Sequence, residues 1–265
     1  MENLHSVWIL QRTFWILNVI AVAVVVWRLY SAGLHRIYRF FFAALVFVTL
    51  RSILLIPFDP KSRTFYTIWV VTVPILWVSY VLVVLELYSL VLKHYRGIYS
   101  VGRMFFFAAV ATSAIVSALT VLLTMPGTLG ARSLLYYYAL LERGIVTSLA
   151  IFLLLLLTLV TWFPVPLSRN LLIHCSVYTA YFFAVNVIDL YWHISGIAGA
   201  ATTSWATIYR LSVALVCYSC WAFLLSPSGE NRIAALHLGR SPLEEKRLLG
   251  QLEGLNATLL RTARK

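Results

Sequence analysis

Seven stretches of the chain are apolar over about the twenty residues that a helix needs to cross a hydrocarbon core of about 30 Å. They cover residues 13–30, 40–57, 65–92, 104–125, 134–163, 171–194 and 205–226. Helix breakers stand between them, as in PFDPKSR at 57–63, PGTLGARS at 126–133 and PVPLSRN at 164–170. The pattern predicts an all-α polytopic membrane protein with seven transmembrane helices, a transmembrane domain over 1–226 and a tail over 227–265. No internal repeat is visible, and an odd helix count speaks mildly against a duplicated transporter.

Composition agrees, with 62% of residues hydrophobic and 11% charged, so the main solvent of the chain is lipid. The balance of 21 Lys and Arg against 9 Asp and Glu would suggest nucleic acid in a soluble domain. Here the cations lie between apolar runs, where they orient helices instead, and no nucleic-acid partner is expected. Fourteen fall on one side, among them Arg28, Arg36, Arg39, Lys93, Arg96, Arg103, Arg169 and seven in the tail, against Arg12, Lys61, Arg63 and Arg132 on the other. This predicts an outside N-terminus and a cytoplasmic tail in a plasma (inner) membrane. No basic residue precedes the first apolar run, so no cleaved signal peptide is expected. Cys175, Cys217 and Cys220 all fall in apolar stretches and do not form a disulfide framework.

Ionisable groups inside spans are costly and mark candidate function. Without Arg51 the second stretch offers only 40–50, and without Arg210 the seventh offers only 211–225, so both arginines lie within the membrane. Glu142 and Arg143 have another placement, because residues 145–163 cross unaided and Tyr136, Tyr137 and Tyr138 can form an interfacial belt. Asp189 has one as well, since 171–188 precedes it. At 1.5 Å per residue, Arg51, Asp189 and Arg210 all lie roughly 9 Å below the outer ends of their stretches. The second, fifth, sixth and seventh stretches thus present charge at one depth, forming an outward-facing polar cluster.

The sixth stretch carries His174, Tyr178, Tyr181, Asn186, Asp189 and His193 along one face, a polar stripe expected to point away from lipid. On the third, Thr72, Ser79, Glu86 and Lys93 recur every seven residues, with Pro74 available for a kink. An anion can satisfy the excess positive charge of the cluster. The competing reading pairs Asp189 with Arg210 and Glu142 with Arg51 or Arg143, contacts that only fix helix packing.

Other chemistries find no support. No lysine lies mid-membrane in the seventh stretch for a retinal Schiff base, and no second histidine opposes His174 or His193 for haem. Cys217 and Cys220 are better read as small packing residues than as zinc or redox ligands. Neither a metal site nor a cofactor is expected, and no catalytic constellation marks an enzyme. In the tail, Ser241, Pro242 and Glu244 begin a helix, and Leu248, Leu252, Leu255 and Leu259 form a stripe over about 241–265. Lys246, Arg247, Arg261 and Arg264 suit an anionic membrane surface; the alternative is a helix that docks a cytoplasmic partner.

The function expected first is a receptor-like sensor for signal transduction. A small anionic or amphipathic ligand would meet Arg51, Glu142, Arg143, Asp189, His193 and Arg210, with Glu86 in an inner switch region. The alternatives are a small-anion or proton transporter or channel using Glu86, Asp189 and His193, and a structural subunit of a larger membrane complex.

Overall fold

The computed structural model describes residues 2–58, 62–93, 95, 98–100, 102–104, 106–112, 115, 131–162, 167–195, 200–230, 247, 250–254 and 256–258. Among these, the long helices are α1 (Glu2–Ser31), α2 (Arg39–Leu55), α3 (Arg63–Val91), α5 (Ala131–Trp162), α6 (Arg169–Ser195) and α7 (Ala200–Leu224). A shorter apolar helix, α4, runs over Ile98–Thr112. Single 3-10 turns stand at Leu34–Arg36 and Pro227–Gly229, and no strand occurs among the described residues.

Among the described residues, five helical stretches are long and apolar enough to span a membrane: Val7–Ser31, Arg63–Val91, Leu140–Trp162, Arg169–Ile188 and Trp205–Leu224. Only 17–33% of their most apolar windows is buried within the protein, so most of this apolar surface is left for lipid. The chain is a multi-pass membrane protein. α1 begins well before the expected residue 13, because Gln11 and Arg12 continue the helix instead of ending it.

The chain packs as two units, residues 1–86 with 183–230, and residues 87–182 with 231–265. In the first, hydrogen bonds give the directions of the helices. Arg12 near the start of α1 reaches Ile56 at the end of α2, so these two helices are antiparallel. Arg51 of α2 reaches Thr72, and the α2 residues Phe40 and Phe41 meet Glu86, so α2 and α3 are antiparallel too. α7 runs parallel to α1: Asn18 donates to the Leu211 carbonyl at 2.9 Å, and Arg28 to the Leu225 carbonyl at 3.0 Å. Val22, Val25 and Leu29 bury the α1 face that continues from Asn18, and Phe41 packs edge-on against Trp221 of α7 with ring centroids 4.9 Å apart.

Both ends of α2 are closed by charges from its neighbours. The first N–H groups of a helix and its last carbonyls have no partner within the helix, and lipid supplies none. At the N-terminus, Tyr38 offers no side-chain cap. Instead the Glu86 carboxylate, only 8% exposed, accepts the N–H groups of Phe40 and Phe41, each at 3.0 Å. At the C-terminus, Arg12 Nη2 donates to the Ile56 carbonyl at 2.7 Å. An acid at the N-terminus and a base at the C-terminus also complement the helix dipole. The Tyr38 hydroxyl donates to Glu230 at 2.7 Å, tying the start of α2 to the segment after α7.

In the second unit, the Tyr88 hydroxyl donates to the carbonyls of Ile98 and Tyr99, both at 3.0 Å, and so holds the start of α4. Gly102 lies against that phenol, where a Cβ would collide with the hydroxyl oxygen. The tail closes the same turn: Asn256 Oδ1 accepts the Ile98 N–H at 3.4 Å, and Leu252 is 1% exposed. Leu252 is therefore covered by protein rather than laid on a bilayer surface, whereas Leu248, Leu255 and Leu259 lie outside the described residues. Of the polar stripe on α6, His174 and Tyr178 are buried and Tyr181 and Asn186 half-buried.

Glu86→Ala strands the N–H groups of Phe40 and Phe41, the second of them buried, and should lower stability by about 1–3 kcal/mol in thermal unfolding, with a smaller loss for Glu86→Gln, whose amide oxygen still accepts. A second expectation concerns the tail. Burial, with the Glu253 carboxylate adding to it, raises the Tyr95 phenol above its ordinary value of 10.0. The folded chain favours the neutral phenol, so its contribution is whole below that value and is lost as the pH rises through the raised one. Anisotropy of a dye on Thr258→Cys should fall in that alkaline range, and at neutral pH when Leu252→Asp is added.

Candidate functional site

Four helices of the first unit wall a cavity of about 410 Å³. α1 supplies Trp8, Gln11, Arg12 and Trp15, whose spacing of three, one and three residues is one helical face. α2 supplies Arg51, Ser52 and Leu55; α3 supplies Phe65 and Trp69; α7 supplies Thr207 and Leu211. The volume lies in the usual small-molecule range of about 300–1,000 Å³.

Both cations of the cavity are held in place. The Arg51 Nε donates to Thr72 Oγ1 at 2.7 Å, and the Thr72 hydroxyl donates in turn to the Ile68 carbonyl at 2.8 Å, which orients its lone pairs toward the guanidinium. Arg12 is anchored on the Ile56 carbonyl, and its guanidinium carbon lies 5.2 Å from the centroid of the Trp15 ring, within cation–π reach. Below them Asn18 bridges α1 and α7, donating to Phe14 and Leu211 while its Oδ1 is buried without a partner among the described residues. Among the described residues no carboxylate is in its lining. Its polar side carries the two guanidinium groups, whose donors are of the kind that binds a carboxylate or phosphate, and its other side is aromatic and aliphatic.

The expected site residues fall in different places. Arg51 lines the cavity, and Arg210, half-buried, stands next to Leu211 in the α7 wall without lining it. Asp189 and His193 are on α6, but their side chains lie outside the described residues. Glu142 and Arg143 belong to the other unit, half-buried on α5 inside the stretch that is long enough to span. Glu86 caps α2.

Sequence reasoning missed Arg12 and its aromatic companions. Arg12 precedes the first apolar run and counts there only among the outer cations, yet it lines the cavity together with Arg51. The signal that finds it is the one-face spacing of Trp8, Gln11, Arg12 and Trp15. Among the described residues no group of three or more His, Cys, Asp and Glu side chains is placed to hold a metal, and Cys175, Cys217 and Cys220 are free thiols. The chain matches no family model, no curated protein and no solved structure.

A cationic cavity should sort reagents by charge. With Cys220 replaced by Ser, Ser52→Cys in detergent-solubilised protein should react roughly tenfold faster with an anionic methanethiosulfonate than with its cationic analogue, relative to their rates on a free thiol. The preference should shrink when Arg12→Gln or Arg51→Gln is added, and the time course of labelling measures it.

Proposed function

We propose that this chain is a receptor-like sensor of the plasma (inner) membrane, with seven transmembrane helices, an outside N-terminus and a cytoplasmic C-terminus. It binds a small anionic or amphipathic ligand in the cavity of the first unit and signals to a cytoplasmic partner through its loops and C-terminal helix. The observation that carries this reading is a cavity lined by two guanidinium groups, each anchored on a neighbouring helix, beside the aromatic rings of Trp8, Trp15, Phe65 and Trp69. The helix count draws support from α2, which runs antiparallel to both α1 and α3, and from α7, which points the same way as α1, as an odd number of crossings requires. The orientation draws support from the uneven distribution of Lys and Arg.

In this reading Arg51 and Arg12 hold the ligand, and Arg210, Asp189 and His193 lie on the helices expected to complete the binding region. Glu86 is the inner contact through which movement of α2 is felt, because ligand binds at the C-terminal end of α2 and Glu86 holds the N-terminal end. A relay through Glu86 gains little, since its carboxylate is engaged by two backbone N–H groups.

Trp8, Trp15 and Trp69 make the cavity visible by fluorescence. Titration with a series of small organic anions should give a saturable change for at least one, with affinity at least roughly tenfold weaker in Arg51→Leu, a loss of about 1.4 kcal/mol. The same anion should not enter proteoliposomes. Flux would support the transporter reading instead, and no saturable response across the series would remove the ligand site.

A further inference from the structure

The second unit contains a cavity of its own, of about 450 Å³. Its floor is Tyr88 and Leu92 at the end of α3, both buried. α4 lines it from Ile98 to Ala109 and α5 from Ser148 to Leu159, the same length of helix on either side. At 1.5 Å per residue that length is roughly 16 Å, so the cavity is a slot drawn out along two helices, about as long as half of a 30 Å hydrocarbon core is deep. Residue size opens it: on α4 the lining positions Ile98, Gly102 and Ala109 share one helical face, and two of the three are small. Phe152 of α5 holds the walls together, its ring centroid 5.2 Å from that of Tyr88 and 4.4 Å from that of Phe106.

The slot offers an occupant almost no polar contact. Among the described residues its only side-chain hydroxyls are those of Tyr88, which donates to the Ile98 and Tyr99 carbonyls, and Ser148, which donates to the Gly144 carbonyl. Its rim opens toward lipid, for Ile151 and Leu155 are 55% and 62% exposed within the Leu140–Trp162 stretch that is long and apolar enough to span. A hydrocarbon chain fills such a space at no cost in unmet hydrogen bonds. At the α3–α4 connection the chemistry changes. Lys93 follows Leu92 and Arg103 follows Gly102; both side chains are exposed, and neither meets an acid among the described residues. α3 is itself long enough to span, so this connection stands at a membrane surface, where cations attract anionic headgroups.

We infer that the second unit binds an anionic phospholipid, one acyl chain of which lies in the slot between α4 and α5 while its phosphate meets Lys93 and Arg103. The slot runs the depth of one leaflet, so the chain enters sideways from the bilayer and its headgroup stays at the surface. A helix of a second copy, about 10–12 Å across with its side chains, is too wide for a space of this volume and length. The site is separate from the cavity of the first unit, and the inference stands whether or not that cavity takes a ligand.

The test uses the full-length protein in dodecyl maltoside micelles, with dioleoyl phosphatidylglycerol and dioleoyl phosphatidylcholine as probes that share their chains and differ in charge. Phosphatidylglycerol should raise the thermal midpoint by roughly 5–10 °C at about 100-fold its dissociation constant, and phosphatidylcholine at the same mole fraction should raise it less. In the Lys93→Gln, Arg103→Gln protein the two rises should become equal. Ala109→Trp fills the slot from its exposed rim and should abolish the rise, whereas Ala180→Trp, the same change at an exposed alanine of α6, should keep it. Because a filled slot can also disturb folding, the wild-type protein provides a second measurement: phosphatidylglycerol with a diazirine on one chain should label peptides from Ile98–Thr112 and from 148–159, and unlabelled phosphatidylglycerol should compete. Equal rises with both lipids in the wild type, a rise that survives Ala109→Trp, or labels confined to other helices would overturn the inference. A dimer in light scattering that Ala109→Trp converts to a monomer would give the slot to a second copy and overturn it as well.

Discussion

α2 can exist in a membrane because other helices finish it. It has seventeen residues, the shortest of the six long helices, and a helix leaves several amide and carbonyl groups at its ends without internal partners. In water those groups would be solvated at little cost; in lipid each unmet one costs several kcal/mol. Glu86 meets the N–H groups at one end and Arg12 the carbonyl at the other, and each charge opposes the partial charge of the helix end it faces. α1 performs the same service twice, since its second arginine, Arg28, reaches the Leu225 carbonyl just beyond α7. The ionisable groups of this unit are expensive in themselves, and closing helix ends is how their cost is offset.

The cavity follows from that arrangement. Arg12 must lean toward α2 to reach Ile56, which turns the Trp8–Trp15 face of α1 inward and places its guanidinium beside the last turn of α2. Arg51 is one turn earlier on α2 and is held by Thr72 from the other side. Two cations are thus brought to one cavity by bonds whose main consequence is structural. In the proposed reading stability and binding share the same residues, so a ligand that competed for Arg12 would also act on the end of α2. That shared use gives a physical route from an occupied cavity to the Glu86 end of the helix.

How much of this was legible beforehand depended on the kind of signal. Apolar runs located α2, α3, α5, α6 and α7 to within a few residues, because a length of lipid-compatible sequence is a one-dimensional property. Register alone put Arg51 inside a helix, since too little apolar sequence remained without it. The seven-residue recurrence of Thr72, Ser79 and Glu86 marked a face of α3, and Thr72 and Glu86 both bond to α2. Arg12 was missed because an arginine ahead of an apolar run reads as a headgroup anchor; only the position of Ile56 makes it a cap. The burial of Leu252 was missed for a similar reason. An amphipathic stripe does not say whether lipid, a partner or the turn at Ile98 will cover it.

Hydrogen exchange at two amides bears most directly on the closed ends of α2. The N–H groups of Phe40 and Phe41 are in the first turn, where a helix offers them no internal acceptor and exchange is ordinarily fast. The Glu86 bonds predict slow exchange at both in wild-type protein in nanodiscs, and fast exchange at both in Glu86→Ala. Fast exchange in the wild type, or rates unchanged by the substitution, would contradict the account.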